Sequence, residues 1–177
     1  MPRTRRPSRP APDVVLRGIA DQTAIVLASP LSVESKRSII RHWLWGVTER
    51  FGKFMGCPYW SVAATERLRA SGAAGIPRWA VHEHVVPRRI VASMLIDLPD
   101  PTPDAVRDTF SRFALACVVM KEEAKAIDFA LRDRMPAGFC DPASPEYQDP
   151  WSRYRAAGVS WRGPIEWRDG VPVSDAD

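Results

Sequence analysis

Residues 79–90 read WAVHEHVVPRRI, and they hold two of the chain's three histidines. Its first part is short and ends in a β-branched pair before a proline, which predicts a strand over 79–86. Pro87 ends it, because proline has no donor for the ladder. Downstream, Ile90, Val91, Met94, Leu95 and Leu98 recur at helical spacing and predict a helix to about Leu98. Upstream, YWSVAATERLRASG (59–72) predicts a short helix with Ser61 as N-cap and Gly72 just past its end.

Further out the same rules apply. Ile39, Ile40, Trp43, Leu44, Val47 and Phe51 form one apolar stripe within 32–51, and His42 falls opposite it, on the solvent side. In PDPTPD (99–104), Thr102 caps a helix and Pro103 takes its first position, with Val106, Phe110 and Phe113 as its buried face. LACVVM (115–120) has strand composition, KEEAKAIDFALRDRM (121–135) helix composition, and Asp149 to Gly158 a compact capped helix. IEWRDGVPV (165–173) predicts a hairpin turning at Asp169-Gly170. VVLRGIADQTAIVLA (14–28) is apolar without a clear period, and helix and strand stay open there. The expected architecture is a helix-rich α+β domain over 14–177, with four to six helices and a small antiparallel sheet.

The charge is placed unevenly. Arg3, Arg5, Arg6 and Arg9 precede the first acid, Asp13, and removing them from the 25 basic residues leaves 21, equal to the 21 acids. The four arginines ahead of Asp13 therefore match the chain's net +4, and the proline-interrupted stretch 1–13 is expected to be a flexible basic arm suited to phosphate backbones or to solubility. No apolar h-region follows it, so no secretory signal is expected, and no run is long enough to span a bilayer. Three widely spaced cysteines, Cys57, Cys117 and Cys140, point to reduced thiols in a cytoplasm.

The chemistry concentrates at His84 and Glu83. A neutral imidazole can take a proton from water near neutral pH, and a carboxylate is a hard ligand for magnesium or manganese. Together they are the minimum set for hydrolysing a phosphodiester. HEHVVP (82–87) resembles the first-strand motif of HNH nucleases, the ββα-metal class, in which an acid-histidine dipeptide precedes two β-branched residues and a proline. The resemblance implies Glu83 as a metal ligand and His84 as the general base, in a unit of about residues 79–134. CVVMKEEAKAI (117–127) resembles the second half of that unit, where the family carries an Asn or His ligand. The layout over roughly 59–158 also resembles that of bacterial proteins with no assigned activity.

Here the chain departs from the family. Between Cys117 and Leu131 there is no Asn or His, and Ala124 stands about where the ligand is expected. Helical angles put Ala124, Ile127, Leu131 and Asp128 inward and Glu123 on the flank, so Asp128 or Glu123 is the expected second ligand. Adjacent strand residues also point to opposite faces, which separates Glu83 from His84 and pairs His82 with His84. That pair, with Cys117 as a third ligand, offers a rival zinc site. Arg88 and Arg89, directly after the strand, are placed to meet a phosphate. Trp151, Arg153, Tyr154 and Arg155 alternate aromatic and basic groups and either stack on bases or pack inward. The expectation is metal-dependent cleavage of nucleic acid, with a non-catalytic nucleic-acid- or protein-binding domain as the alternative.

Overall fold

A computed structural model describes residues 10–168 and 171–172, with side chains up to Trp167. The open segment is helical: α1 spans Pro12–Ala28 and buries Leu16, Ala20, Thr23 and Ala24 at intervals of three and four. It begins two residues inside the expected arm, because proline fits the first helical position, where its missing N–H costs nothing. The arm arginines Arg3, Arg5, Arg6 and Arg9 lie outside the described residues.

Helix α2 (Val33–Thr48) is capped by Ser32, whose hydroxyl accepts from the Ser35 N–H, and it buries Ile40, Leu44 and Val47. Helices α3 (Val62–Ser71) and α4 (Ile76–Trp79) follow, then α5 (Arg88–Ile96) and α6 (Pro103–Phe113). Ser61 and Thr102 cap α3 and α6 as their spacing predicts. Helices α1, α2, α5 and α6 pack together around Leu16, Ile40, Leu44, Val91, Leu95 and Phe110. This apolar layer is one of two on which the fold rests, since burial of such side chains contributes about 1.5–3 kcal/mol each.

The other layer is a sheet in the order β2-β3-β1-β4, made of β1 (Tyr59–Ser61), β2 (Ala80–His84), β3 (Ala116–Met120) and β4 (Trp161–Arg162). Strands β2 and β3 are antiparallel, with Glu83 opposite Cys117 and His84 opposite Ala116. Strands β1 and β3 run parallel, so the sheet is mixed rather than antiparallel. The long crossover through α3, β2, α5 and α6 makes parallel pairing possible. Central β3 is buried from Ala116 to Val119, which explains its unbroken apolar composition. Helices α7 (Lys121–Leu131) and α8 (Ser152–Ala156) cover one face.

The chain is thus a helix-rich α+β fold, with eight helices among the described residues instead of four to six. Strand β2 ends at His84, two residues before Val86, and α8 starts at Ser152 rather than Asp149. The Asp149 carboxylate instead accepts from the Trp151 N–H, holding a turn ahead of the helix. Strands β5 (Trp167–Arg168) and β6 (Val171–Pro172) pair as the expected hairpin, and Asp169-Gly170 lie outside the described residues.

The turn after α2 closes through Gly52 (φ +131°) and Gly56 (φ +92°). A Cβ at Gly52 would collide with the Met55 carbonyl oxygen, and one at Gly56 with that of Phe51. Gly52→Ala is therefore expected to lower unfolding stability by about 2 kcal/mol or more, measured by urea unfolding. A loss below about 0.5 kcal/mol would show that the turn relaxes without cost.

Candidate functional site

Strand β2 is regular through its last residue, so its side chains alternate between two environments. His82 and His84 face α2. The Trp45 ring lies edge-on to His84 with centroids 4.5 Å apart and stacks on His82 at 6.3 Å. His84 Nε2 is 3.3 Å from Thr48 Oγ1. The Thr48 hydroxyl hydrogen is committed to the Leu44 carbonyl at 2.9 Å, so the bond is made by His84 Nε2–H donating to Oγ1. His82 is 4% exposed, and neither of its ring nitrogens finds a hydrogen-bond partner.

Burial, then the nearby Lys53 charge, pushes the His82 imidazole down to about 4. Burial pushes His84 down to about 3, helped by His82, Arg88 and Arg153. Both rings are neutral at physiological pH. An imidazole held that low is a weak base, far from the match to working pH that general-base catalysis uses.

Glu83 faces the other way, toward α7 and α8, and meets a buried arginine. Arg153 as a whole is 1% exposed. Its Nη1 donates to Glu83 Oε1 at 2.8 Å and to the His84 carbonyl at 3.3 Å. Its Nη2 donates to Asp128 Oδ1 at 3.5 Å and to the Arg132 carbonyl. One planar cation thus joins β2, α7 and the residue that ends α7. Burial raises the Glu83 carboxyl above its ordinary range, and the Arg153 contact opposes that rise.

The remaining expected ligands are employed elsewhere. Glu123 Oε2 accepts from the Met120 N–H at 2.8 Å and from the Ser61 hydroxyl, tying the start of α7 to β1. Glu123→Ala is expected to lower stability by about 1–2 kcal/mol in a chemical unfolding experiment. A change within 0.5 kcal/mol of zero would contradict this capping role. Ala124 packs into the apolar cluster around Ile127 and Tyr154, with no donor atom to offer. Cys117 sits in that cluster too, opposite Glu83, so it is on the far face from His82 and His84. The His-x-His pair therefore lacks its expected third ligand.

The donor set does not fit a divalent ion. Glu83 and Asp128 meet across a guanidinium, the two histidines lie behind the sheet, and no group of three His, Cys, Asp or Glu among the described residues is arranged to hold a metal.

Arg88 donates from Nη1 to the Arg41 carbonyl at 3.0 Å and lies over the Trp45 ring at 4.6 Å. Arg89 pairs with Asp133 at 3.1 Å. His42 is exposed, as its place opposite the apolar stripe predicts. The aromatic-basic run near the C-terminus packs inward. Trp151 stacks on Trp161 at 4.4 Å, Tyr154 is fully buried, and Arg155 is paired with Asp149. Cys57 is buried, and its thiol is pushed up to about 12, which leaves it inert as a nucleophile.

Sequence reasoning missed Arg153 as the organiser of this site. Its one signal is its position beside Tyr154 in a short helix, where an arginine turned inward needs carboxylate and carbonyl partners. Comparison with family models, with curated proteins and with solved structures finds no match for this chain. Among the described residues no helix is long and apolar enough to cross a membrane.

Proposed function

We propose that this chain is a nucleic-acid-binding domain built on an HNH-like strand-strand-helix frame, and that it does not cut. The observation that carries the reading is Arg153, an internal cation that bridges Glu83, the expected first metal ligand, and Asp128, one of the two residues expected as the second. The guanidinium supplies the positive charge that holds the two elements together, so the frame stands without a bound ion. The excess positive charge of the chain, concentrated in Arg3, Arg5, Arg6 and Arg9, supports an anionic polymer as partner.

A metal-dependent nuclease is the second reading. It is favoured by β2 and β3 forming an antiparallel pair that runs directly into α7, the element order of the ββα unit. Magnesium, manganese or zinc at Glu83 would then require Arg153 to leave its buried position and Asp128 to turn onto the ion.

Fluorescence anisotropy with labelled DNA and RNA, across a salt series with and without chelator, tests the proposal. The expected result is binding that weakens steeply with salt, with a log-log slope of about −0.7 to −0.9 per phosphate contacted, and that ignores the chelator. Binding lost on chelation, or none at low salt, would overturn it.

A further inference from the structure

Helix α2 carries Glu34, Arg37, Ser38, Arg41 and His42 at helical spacing on one face, and with Arg88 of α5 they line an open cleft of about 390 Å³. Three guanidinium groups share this cleft with one carboxylate. None of the three arginines forms an ion pair among the described residues, although other surface arginines do. Like charges placed together without counter-ions repel, and the burden is visible at Arg88, whose pKa is lowered by partial burial and by Arg41.

Helix α5 adds to it. Its first turn carries Arg88 and Arg89 and no acid, and its N-cap, Pro87, offers no side-chain acceptor. Acids are the stabilising residues at that positive end of the macrodipole, and here arginines replace them. Arg89 is paired with Asp133, which leaves Arg37, Arg41 and Arg88 as the cleft's cations without an ion pair among the described residues, a set suited to an anion that enters it.

We infer that the cleft between α2 and α5 is a phosphate site, where Arg37, Arg41 and Arg88 grip the phosphodiester oxygens of a nucleic-acid strand. Guanidinium suits this chemistry because its planar donors match phosphate oxygens two at a time. The polymer is favoured over free phosphate by the length of the basic track. From Arg37 to Trp45 the helix rises about 12 Å, and Arg88 lies over the Trp45 ring at its far end, beside Lys53, which is paired with Glu49. That is more than one phosphate group can fill. This inference rests on the nucleic-acid reading above.

The test compares two triple variants of equal charge change by anisotropy with labelled single- and double-stranded probes. Arg37→Gln/Arg41→Gln/Arg88→Gln removes the cleft cations. Arg67→Gln/Arg69→Gln/Arg78→Gln removes three exposed cations on α3 and α4. The cleft triple is expected to bind at least about tenfold more weakly and to flatten the salt slope by about two, and the control triple to lose much less. Glu34→Gln is expected to tighten binding several-fold. Because Arg88 also holds the Arg41 carbonyl, Arg37→Glu/Arg41→Glu provides a second cleft variant with that contact intact.

Equal losses in the two triples would overturn the cleft while leaving nucleic-acid binding in place. No binding by wild type would overturn both. A thermal shift with inorganic phosphate that the cleft triple abolishes, without nucleic-acid binding, would make free phosphate the ligand and overturn the assignment to a polymer.

Discussion

Replacing Arg153 with methionine is expected to lower unfolding stability by about 3 kcal/mol, the lower end of the cost of breaking a buried ion pair. The side chain is 2% exposed and donates to four acceptors on three segments. Methionine keeps the volume but leaves the Glu83 carboxylate and two carbonyls without their donor. The lower end is chosen because the Glu83 side chain retains 22% exposure and that of Asp128 66%, so water recovers part of the loss. Adding Glu83→Gln should return 1 kcal/mol or more, since it removes the orphaned charge, and this coupling separates an ion-pair role from simple packing. Urea unfolding of wild type, both single variants and the double variant measures it. A cost below 1 kcal/mol, or additive effects, would mean that Arg153 does not organise the site.

Acid is expected to destabilise the fold through the two strand histidines. Each has an ordinary pKa near 6.5 once unfolded, and in the fold His82 lies near 4 and His84 near 3. Between those limits the unfolded chain binds protons that the folded chain refuses, so stability is full above about pH 6.5 and falls as pH drops toward 4. The slope approaches about 1.4 kcal/mol per pH unit for each histidine. Lys53 disfavours a charged His82, and Arg88 and Arg153 disfavour a charged His84. Carboxylates elsewhere also titrate in this range, so the informative quantity is a difference. His82→Phe should flatten the stability profile between pH 6.5 and 4.5 relative to wild type. Parallel profiles for wild type and His82→Phe would refute this.

Much of the fold is legible in the sequence because it depends on short spacings. The stripe at Ile40, Leu44 and Val47 places α2, the caps at Ser61 and Thr102 place α3 and α6, and the apolar run at 116–119 places the central strand. Helix α1 resists assignment because VVL and AIVLA put apolar residues on every side of a helix as readily as along a strand. The parallel pairing of β1 with β3 joins residues almost sixty positions apart, Tyr59 with Cys117, and no local pattern encodes it. The site fares likewise. Strand alternation correctly separates Glu83 from His84, since it needs only the period of two. What Glu83 meets on its own face is set by an arginine 70 residues away, which composition alone places at the surface.

The most direct test of the central claim, that Arg153 stands in the place of a metal and the domain binds without cutting, is a cleavage assay. Plasmid DNA and RNA are incubated with wild type and with folded His84→Ala in magnesium, manganese or zinc. The account predicts intact substrate under every condition, with the nucleic acid retarded by the protein at low salt. Metal-dependent cutting that His84→Ala abolishes would contradict it, and would mean that Arg153 gives way to an ion at Glu83.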